Sequence, residues 1–210
     1  MSMLIKHVEQ SIEKATNHIS DLSDEILKID GMSSPKMRHF LNNITKLEKC
    51  NYLEIGCWKG STLISALFKN NVQNYWAIDN FSEFGSPKNE FIQNFSKILN
   101  CNPNLIDKDF TSFNPIDYGI KDVNVYFYDG YHMGRCQELA LSHYINSLQD
   151  EFIYICDDWN GWAVASQTQS AIKELKLNVL YEKVLPAKYA GDIELWWNGV
   201  YVAVLKKSTN

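Results

Sequence analysis

Four side chains in the second half of the chain combine the residue types needed to bind a divalent cation and to move a proton. Asp129 and His132 are three residues apart, and Asp157 and Asp158 are adjacent. Clustered carboxylates repel one another, and a hard cation such as Mg²⁺, which prefers oxygen ligands, removes that repulsion. Histidine titrates near neutral pH and is suited to general-base work. We therefore predict a metal site at Asp129, Asp157 and Asp158, with His132 and Asp129 as catalytic residues.

These residues also admit structural roles. Asp129 and His132 could cap the helix that follows them. Asp157 and Asp158 could accept hydrogen bonds from loop amides without a metal. The residue types alone leave these alternatives open.

A glycine-containing turn forms a second candidate site, in the segment Glu54-Ile55-Gly56-Cys57-Trp58-Lys59-Gly60-Ser61-Thr62. Two glycines four residues apart let the backbone turn tightly against a ligand at a helix N-terminus. The pattern G-x-G-x-x-G is absent and Trp58 is bulky, so we do not expect a pyrophosphate cradle. An ordinary turn between a strand and a helix is the alternative.

Two further positions indicate a nucleoside pocket. Asp79 stands 25 residues after Glu54, where a carboxylate can accept hydrogen bonds from both ribose hydroxyls. Its alternative role is to cap the next loop. Asp107, Asp109 and Phe110 could line an adenine site, although both residue types are also common in loops.

The candidate residues follow predicted strands in a chain that alternates strand and helix. The predicted strands are 52–55, 75–78, 104–106, 123–128, 152–156, 179–184 and 200–205, and the predicted helices include 61–69, 134–148 and 163–175. This alternation predicts a parallel sheet with helices on both faces, and ligands bind beyond the carboxyl ends of such strands. The tight-turn pair Asn198-Gly199 precedes the last strand and is compatible with antiparallel entry.

The N-terminal region is predicted to be helical. Apolar residues recur at three- and four-residue steps from Ile5 to Leu22, and a second helix opens at Ser34-Pro35. We expect residues 1–48 to form a helical cap, as a packing appendage or a homodimer face, on an α/β domain of residues 49–210. The two would form one structural unit.

Composition excludes several classes of function. The 210 residues carry a net charge of −5 and only two arginines, Arg38 and Arg135, so we expect neither a nucleic-acid nor a membrane partner. The five cysteines show no C-x-x-C spacing, which favours reduced thiols. The first residues, MSMLIKHVEQ, lack the apolar stretch of a signal peptide, so we expect a cytoplasmic protein.

The segment from Tyr52 to Thr62 resembles the first motif of class I S-adenosylmethionine-dependent O-methyltransferases. This resemblance extends from about Gly31 to the C-terminus. It implies a Rossmann-like α/β fold with a seven-stranded, mostly parallel sheet and an antiparallel last strand. It also implies S-adenosylmethionine as cofactor, contacted by residues on or near the strand ends: Glu54, Gly56, Cys57, Trp58, Gly60, Thr62, Asp79, Asp109, Phe110 and Asp129.

The acid cluster resembles that of metal-dependent O-methyltransferases of the catechol and macrocin (sugar) types. There, an acid after the fourth strand and an acid pair after the fifth bind Mg²⁺. The sugar type has histidine three residues after the first acid, as His132 is here, whereas the catechol type has lysine. Asp158 departs from the catechol type, which often has asparagine there.

This resemblance implies metal-assisted O-methylation of a small hydroxyl-bearing substrate such as a sugar or sugar conjugate. Trp58, Trp159 and Trp162 are candidates for the walls of the acceptor pocket, or for simple packing. A metal-independent small-molecule methyltransferase and a non-catalytic S-adenosylmethionine-binding protein remain as alternatives. An NAD(P) oxidoreductase is disfavoured by the missing third glycine.

Overall fold

A computed structural model describes residues 2–208 and contains a seven-stranded sheet between two layers of helices. The strands are β1 Asn51–Ile55, β2 Asn74–Ile78, β3 Leu105–Ile106, β4 Val123–Tyr128, β5 Leu148–Cys156, β6 Asn178–Leu185 and β7 Val200–Lys206. The helices are α1 Met3–Thr16, α2 Asp24–Leu27, α3 Pro35–Ile44, α4 Ser61–Leu67, α5 Lys88–Leu99, α6 Cys136–Ser142 and α7 Trp162–Glu174. None of the helices in residues 2–208 has the length and apolar character needed to span a bilayer.

The strand order is β3-β2-β1-β4-β5-β7-β6. Strands β1 to β5 pair in parallel, and β7 runs antiparallel to both β5 and β6. The predicted fold, with its antiparallel last strand beside the strand near 179–184, is confirmed. Gly199 lies in the turn before β7 with φ +85°, a conformation that glycine adopts without steric cost.

The core lies on both faces of the sheet. Every residue of the central strands β1 and β4 is buried, as expected for parallel strands covered by helices on both sides. Side chains of α1, α3, α4 and α5 pack on one face, and side chains of α6 and α7 pack on the other. The strand ends are thereby held in fixed positions at one edge of the sheet.

Several element boundaries differ from those predicted. Helix α1 ends at Thr16 instead of continuing to Leu22, because His18 takes a left-handed conformation with φ +56°. The predicted helix 134–148 is the shorter α6, followed by a 3₁₀ turn at Ile145–Ser147. Strand β5 begins at Leu148, four residues before the predicted start, because residues in this segment pair with β4 and β7. The polar residues Gln149 to Glu151 do not show the apolar pattern from which strands were predicted.

The N-terminal helices share their hydrophobic cluster with the sheet and are joined to α4 by polar contacts. The amide of Asn42 on α3 donates to the carbonyl oxygens of Ser65 and Phe68, each at 2.9 Å. Residues of α1 and α3 belong to the same apolar cluster as residues of β1, β4 and β7.

Arg38 on α3 organises the segment between α2 and α3. Arg38 is 4% exposed, and its guanidinium donates to the carbonyl oxygens of Leu27, Ile29 and Gly31 and to the Ser33 hydroxyl. Burial lowers the pKa of Arg38 to about 10, so the side chain remains a cation at neutral pH. A buried cation is retained here because its donors are satisfied by backbone acceptors.

We expect Arg38→Met to lower the free energy of unfolding by about 2–4 kcal/mol, because several buried carbonyl groups lose their donor. Arg135→Met is the matched control, since the Arg135 side chain is 76% exposed and pairs only with Glu138. Urea denaturation followed by circular dichroism measures both. Equal stability of the two variants would contradict the role assigned to Arg38.

Candidate active site

A cavity of about 910 Å³ lies at the carboxyl ends of the parallel strands. Its walls run across the sheet from the loop after β3 to the loop before β7. Six of the ten predicted cofactor residues line it: Gly56, Trp58, Asp79, Asp109, Phe110 and Asp129. Its size is that of pockets that take small molecules.

The glycine turn is held against the end of β4. Gly56 has φ +89°, and a Cβ atom there would lie 1.9 Å from the carbonyl oxygen of Asp129. The Asp129 amide in turn donates to the carbonyl oxygen of Ile55 at 2.8 Å. Only glycine permits this approach, which sets the turn beside the acid cluster.

Four predicted cofactor residues, Glu54, Cys57, Gly60 and Thr62, lie behind the turn instead of at the cavity wall. Glu54 is fully buried and its carboxylate accepts hydrogen bonds from the hydroxyls of Tyr52 and Thr62, both at 2.6 Å. Gly60, with φ +86°, is the N-cap of α4, and its position faces the Phe91 ring. In the structure these four residues support the turn from behind, and their predicted contact with a cofactor stays a prediction.

Asp79 holds the glycine turn in place by hydrogen bonds from the cavity side. One carboxylate oxygen accepts from the amides of Cys57 and Trp58, both at 2.8 Å, and the other accepts from the amide of Phe81 at 2.7 Å. A carboxylate has about four acceptor positions, so three are used by this loop and room remains for one more donor. The sequence had predicted bonds to two ribose hydroxyls.

Asp109 and Phe110 form the end of the cavity after β3. Asp109 accepts from the amide and hydroxyl of Thr111, at 2.9 and 2.6 Å. The buried Phe110 ring packs edge-on against Tyr128, with 5.5 Å between ring centroids. This end therefore offers an apolar ring and ordered polar groups.

The acid cluster lies beside the glycine turn. Ligand atoms of Asp129, His132 and Asp158 all lie within 4.8 Å of one another. Nε2 of His132 is 2.5 Å from one oxygen of Asp158, and the Asn198 amide donates to the other oxygen at 2.5 Å. Burial opposes ionisation of Asp158, but the contacts with His132 and Asn198 hold its pKa below the usual value.

Gln137 is the second side-chain partner of His132. Its amide nitrogen lies 2.8 Å from Nδ1 of His132, while Nε2 of His132 faces Asp158. These two contacts hold the imidazole ring at the acid cluster.

Asp157 lies outside this three-residue group. It is 1% exposed, and its Oδ1 atom has no hydrogen-bond partner among residues 2–208. Burial and the nearby Asp158 charge raise the pKa of Asp157 well above its usual range. Burial and the charges of Asp157 and Asp158 do the same for Asp129. Hard oxygen donors that repel one another, one of them unpartnered, fit a divalent cation.

The loop between β6 and β7 supplies wall residues that the sequence reasoning missed. Ala190, Gly191, Trp197 and Asn198 line the cavity. Of the three tryptophans considered from sequence, Trp58 lines it. Trp159 instead stacks on Tyr201 with centroids 4.1 Å apart, and Trp162 is 84% exposed. Asn198-Gly199 was recognised only as a turn, and no periodic pattern marked the rest of the loop.

The fold is shared with solved methyltransferases. An O-methyltransferase from Bacillus cereus in complex with SAH is 12% identical with TM-score 0.62, covering 96% of this chain and 91% of its own. A proposed caffeoyl-CoA O-methyltransferase from Staphylococcus aureus is 14% identical with TM-score 0.62, covering 98% and 97%. A proposed RNA methyltransferase from Pyrococcus horikoshii is 11% identical with TM-score 0.61, covering 100% and 98%.

The chain has the Rossmann-like fold of class I methyltransferases. No family model and no curated protein sequence matches it. Because neighbours of equal similarity are named for different acceptors, the fold alone does not select a substrate.

Burial raises the pKa of Glu54 from an ordinary 4.5 to about 7. The folded protein thus binds this proton more tightly than the unfolded chain does. Its stability therefore falls as pH rises from about 4.5 to about 7 and stays lower above that range.

We expect Glu54→Gln to remove this loss, which corresponds to about 3 kcal/mol. Thermal unfolding of the two proteins across that pH range measures it. The variant should match wild type in acid and exceed it in mildly alkaline buffer. If the stabilities of wild type and Glu54→Gln changed in parallel with pH, ionisation of Glu54 would not destabilise the folded protein, and the prediction would be wrong.

Proposed function

We propose that this protein is an S-adenosylmethionine-dependent O-methyltransferase that acts, with a divalent cation such as Mg²⁺, on a small hydroxyl-bearing molecule such as a sugar or sugar conjugate. The observation that carries the proposal is one continuous cavity. It joins a glycine turn and Asp79 on one side to the group of Asp129, His132 and Asp158 on the other. The class I methyltransferase fold supports it.

The cofactor would lie over β1, β2 and β3. The turn at Gly56 admits a ligand close to the backbone, and Asp79 offers its remaining acceptor position to a ribose hydroxyl. Phe110 provides an apolar ring for the adenine. Asp129, next to the turn, would contact the methionine end.

Asp129, Asp157 and Asp158 would hold the cation, which lowers the pKa of a hydroxyl bound to it. Bound S-adenosylmethionine would supply an activated methyl group to the acceptor oxygen and would leave as the neutral thioether. His132, beside Asp158, would take the hydroxyl proton as general base, so that charge balances.

The proposed partner is a small molecule. The net charge of −5 and the acidic cavity argue against nucleic acid and against an anionic membrane surface. A homodimer and a cytoplasmic location also belong to this proposal.

Metal-independent methyl transfer is the second candidate. It is favoured by one observation: His132 and Asn198 already bond both oxygens of Asp158 without a cation. The cofactor side would be unchanged, so only a metal measurement separates the two.

We expect S-adenosylhomocysteine to bind, and Asp79→Asn to weaken this binding roughly tenfold through a lost charged hydrogen bond. Isothermal titration calorimetry measures both. Asp107→Asn is the matched control, because Asp107 likewise follows a strand but is not among the residues that line the cavity and pairs with Lys88. Absence of binding to the wild type would refute the proposed activity.

We expect Mg²⁺ or Mn²⁺ to bind the protein loaded with S-adenosylhomocysteine. Asp129→Asn, Asp157→Asn and Asp158→Asn should each weaken the ion because each removes a charged donor. His132→Ala should retain the ion but lower turnover by roughly 10²–10⁴. The exposed His18 provides the control variant His18→Ala. Identical titrations of wild type and the aspartate variants would favour the metal-independent mechanism.

A further inference from the structure

The loop of residues 186–199, which we call the β6–β7 loop, stands at the opposite end of the cavity from the cofactor side. The loop after β3 carries Asp109 and Phe110, whereas the β6–β7 loop leads into β7. In the strand order, β2, β1, β4 and β5 lie between β3 and β7. The acid cluster after β4 and β5 thus faces the β6–β7 loop, where the acceptor must approach.

This loop is held in one conformation by its own bonds. The buried Asp192 carboxylate accepts from the amides of Lys188, Glu194 and Leu195 at 3.0–3.1 Å. Asp192 and Trp197 exchange two backbone hydrogen bonds, at 2.9 and 3.0 Å. A loop with this many internal bonds presents its side chains as a preformed wall.

The loop is also tied to the acid cluster and to the helical cap. Asn198 donates to Asp158 and accepts from the Gly191 amide at 2.8 Å. Trp196 is buried with its ring edge-on to Phe40 of α3. A displacement of the loop would therefore move a group bonded directly to Asp158.

Trp197 lines the cavity and has a strained backbone. Its φ of +57° lies in the left-handed region, which is unfavourable for a bulky residue. Its neighbour Gly191 lies against the indole, because a Cβ there would be 3.8 Å from the ring. Strain of this kind persists where surrounding bonds impose it, and here it sets an indole at the cavity wall.

The electrostatics of the cavity disfavour an anionic acceptor. Neither arginine of the chain lines the cavity: Arg38 donates to backbone carbonyl groups and Arg135 pairs with Glu138. Lys108 is the one lysine or arginine among the described lining residues, and it lies at the cofactor end, after β3. Three ionised aspartates with one divalent cation would still leave a negative charge.

We propose that the β6–β7 loop is the acceptor-binding wall and that Trp197 selects an uncharged, ring-bearing hydroxyl compound by stacking. This rests on the proposed function, because it assumes that the acceptor occupies the acid end. An aromatic pair contributes about 0.5–1.5 kcal/mol beyond the buried area, which corresponds to roughly twofold to tenfold in affinity. A carboxylate on the same ring meets like charge without a compensating cation.

Saturation-transfer NMR on the full chain, loaded with S-adenosylhomocysteine and Mg²⁺, tests the proposal by binding alone. The probes are two matched pairs: a dihydroxybenzamide with the corresponding dihydroxybenzoate, and methyl glucoside with methyl glucuronate. We expect a neutral member to bind and its acid partner to bind at least about tenfold more weakly. The pair that responds distinguishes a phenolic ring from a sugar ring.

Variants then locate the contact. Trp197→Leu should weaken the neutral probe roughly threefold to tenfold, and Trp197→Phe, which keeps a ring, should weaken it less. Trp162→Leu removes the same residue type from an exposed position away from the cavity and should change nothing. Affinity for S-adenosylhomocysteine should be the same in all three.

Equal binding of the neutral and acidic members would overturn the proposal, and so would failure of both neutral probes to bind. An equal response of Trp197→Leu and Trp162→Leu would also overturn it. If Trp197→Leu does not fold, the proposal is still tested by Trp197→Phe and by the comparison of neutral and acidic probes on the wild type. Methyl transfer is measured in a separate assay. Binding without transfer would contradict the proposed function but would still support the acceptor-binding role of the β6–β7 loop.

Discussion

The site depends on the close approach of two backbone segments, those that follow β1 and β4. Gly56 and the Asp129 carbonyl meet at a separation that leaves no room for a side chain, and the Asp129 amide bonds to Ile55. This contact places the glycine turn next to the half-buried Asp129, and both line the same cavity. The proposed cofactor side and the acid side of that cavity therefore adjoin at the ends of β1 and β4.

The sequence was informative wherever a residue follows a strand, because a parallel sheet aligns its carboxyl ends at one edge. Asp79, Asp129, Asp157 and Asp158 all meet that condition, and each lies at the cavity wall. Glu54 does not, since it is inside β1, where alternation turns its side chain onto a face of the sheet. Strict attention to the strand end would have separated Glu54 from Gly56, two residues later.

The β6–β7 loop could not be predicted, because its structure comes from contacts distant in sequence. Asn198 bonds to Asp158, forty positions earlier, and Trp196 packs on Phe40. Neither contact leaves a periodic pattern in the chain. The His132 ring likewise contacts Gln137, a residue that sequence reasoning treated only as part of a helix. Local patterns thus identified the candidate residues, whereas their mutual orientation required the tertiary structure.

Two buried acids show why a raised pKa does not by itself identify a functional group. Burial raises the pKa of both Glu54 and Asp157. Both oxygens of Glu54, however, accept hydroxyl hydrogen bonds, whereas Asp157 keeps an unpartnered oxygen beside two other carboxylates. Glu54, with both carboxylate oxygens hydrogen-bonded, needs no further partner and supports the glycine turn. An unsatisfied carboxylate gains free energy from any donor or cation that reaches it, and this difference supports the proposal that a ligand binds at the acid end of the cavity.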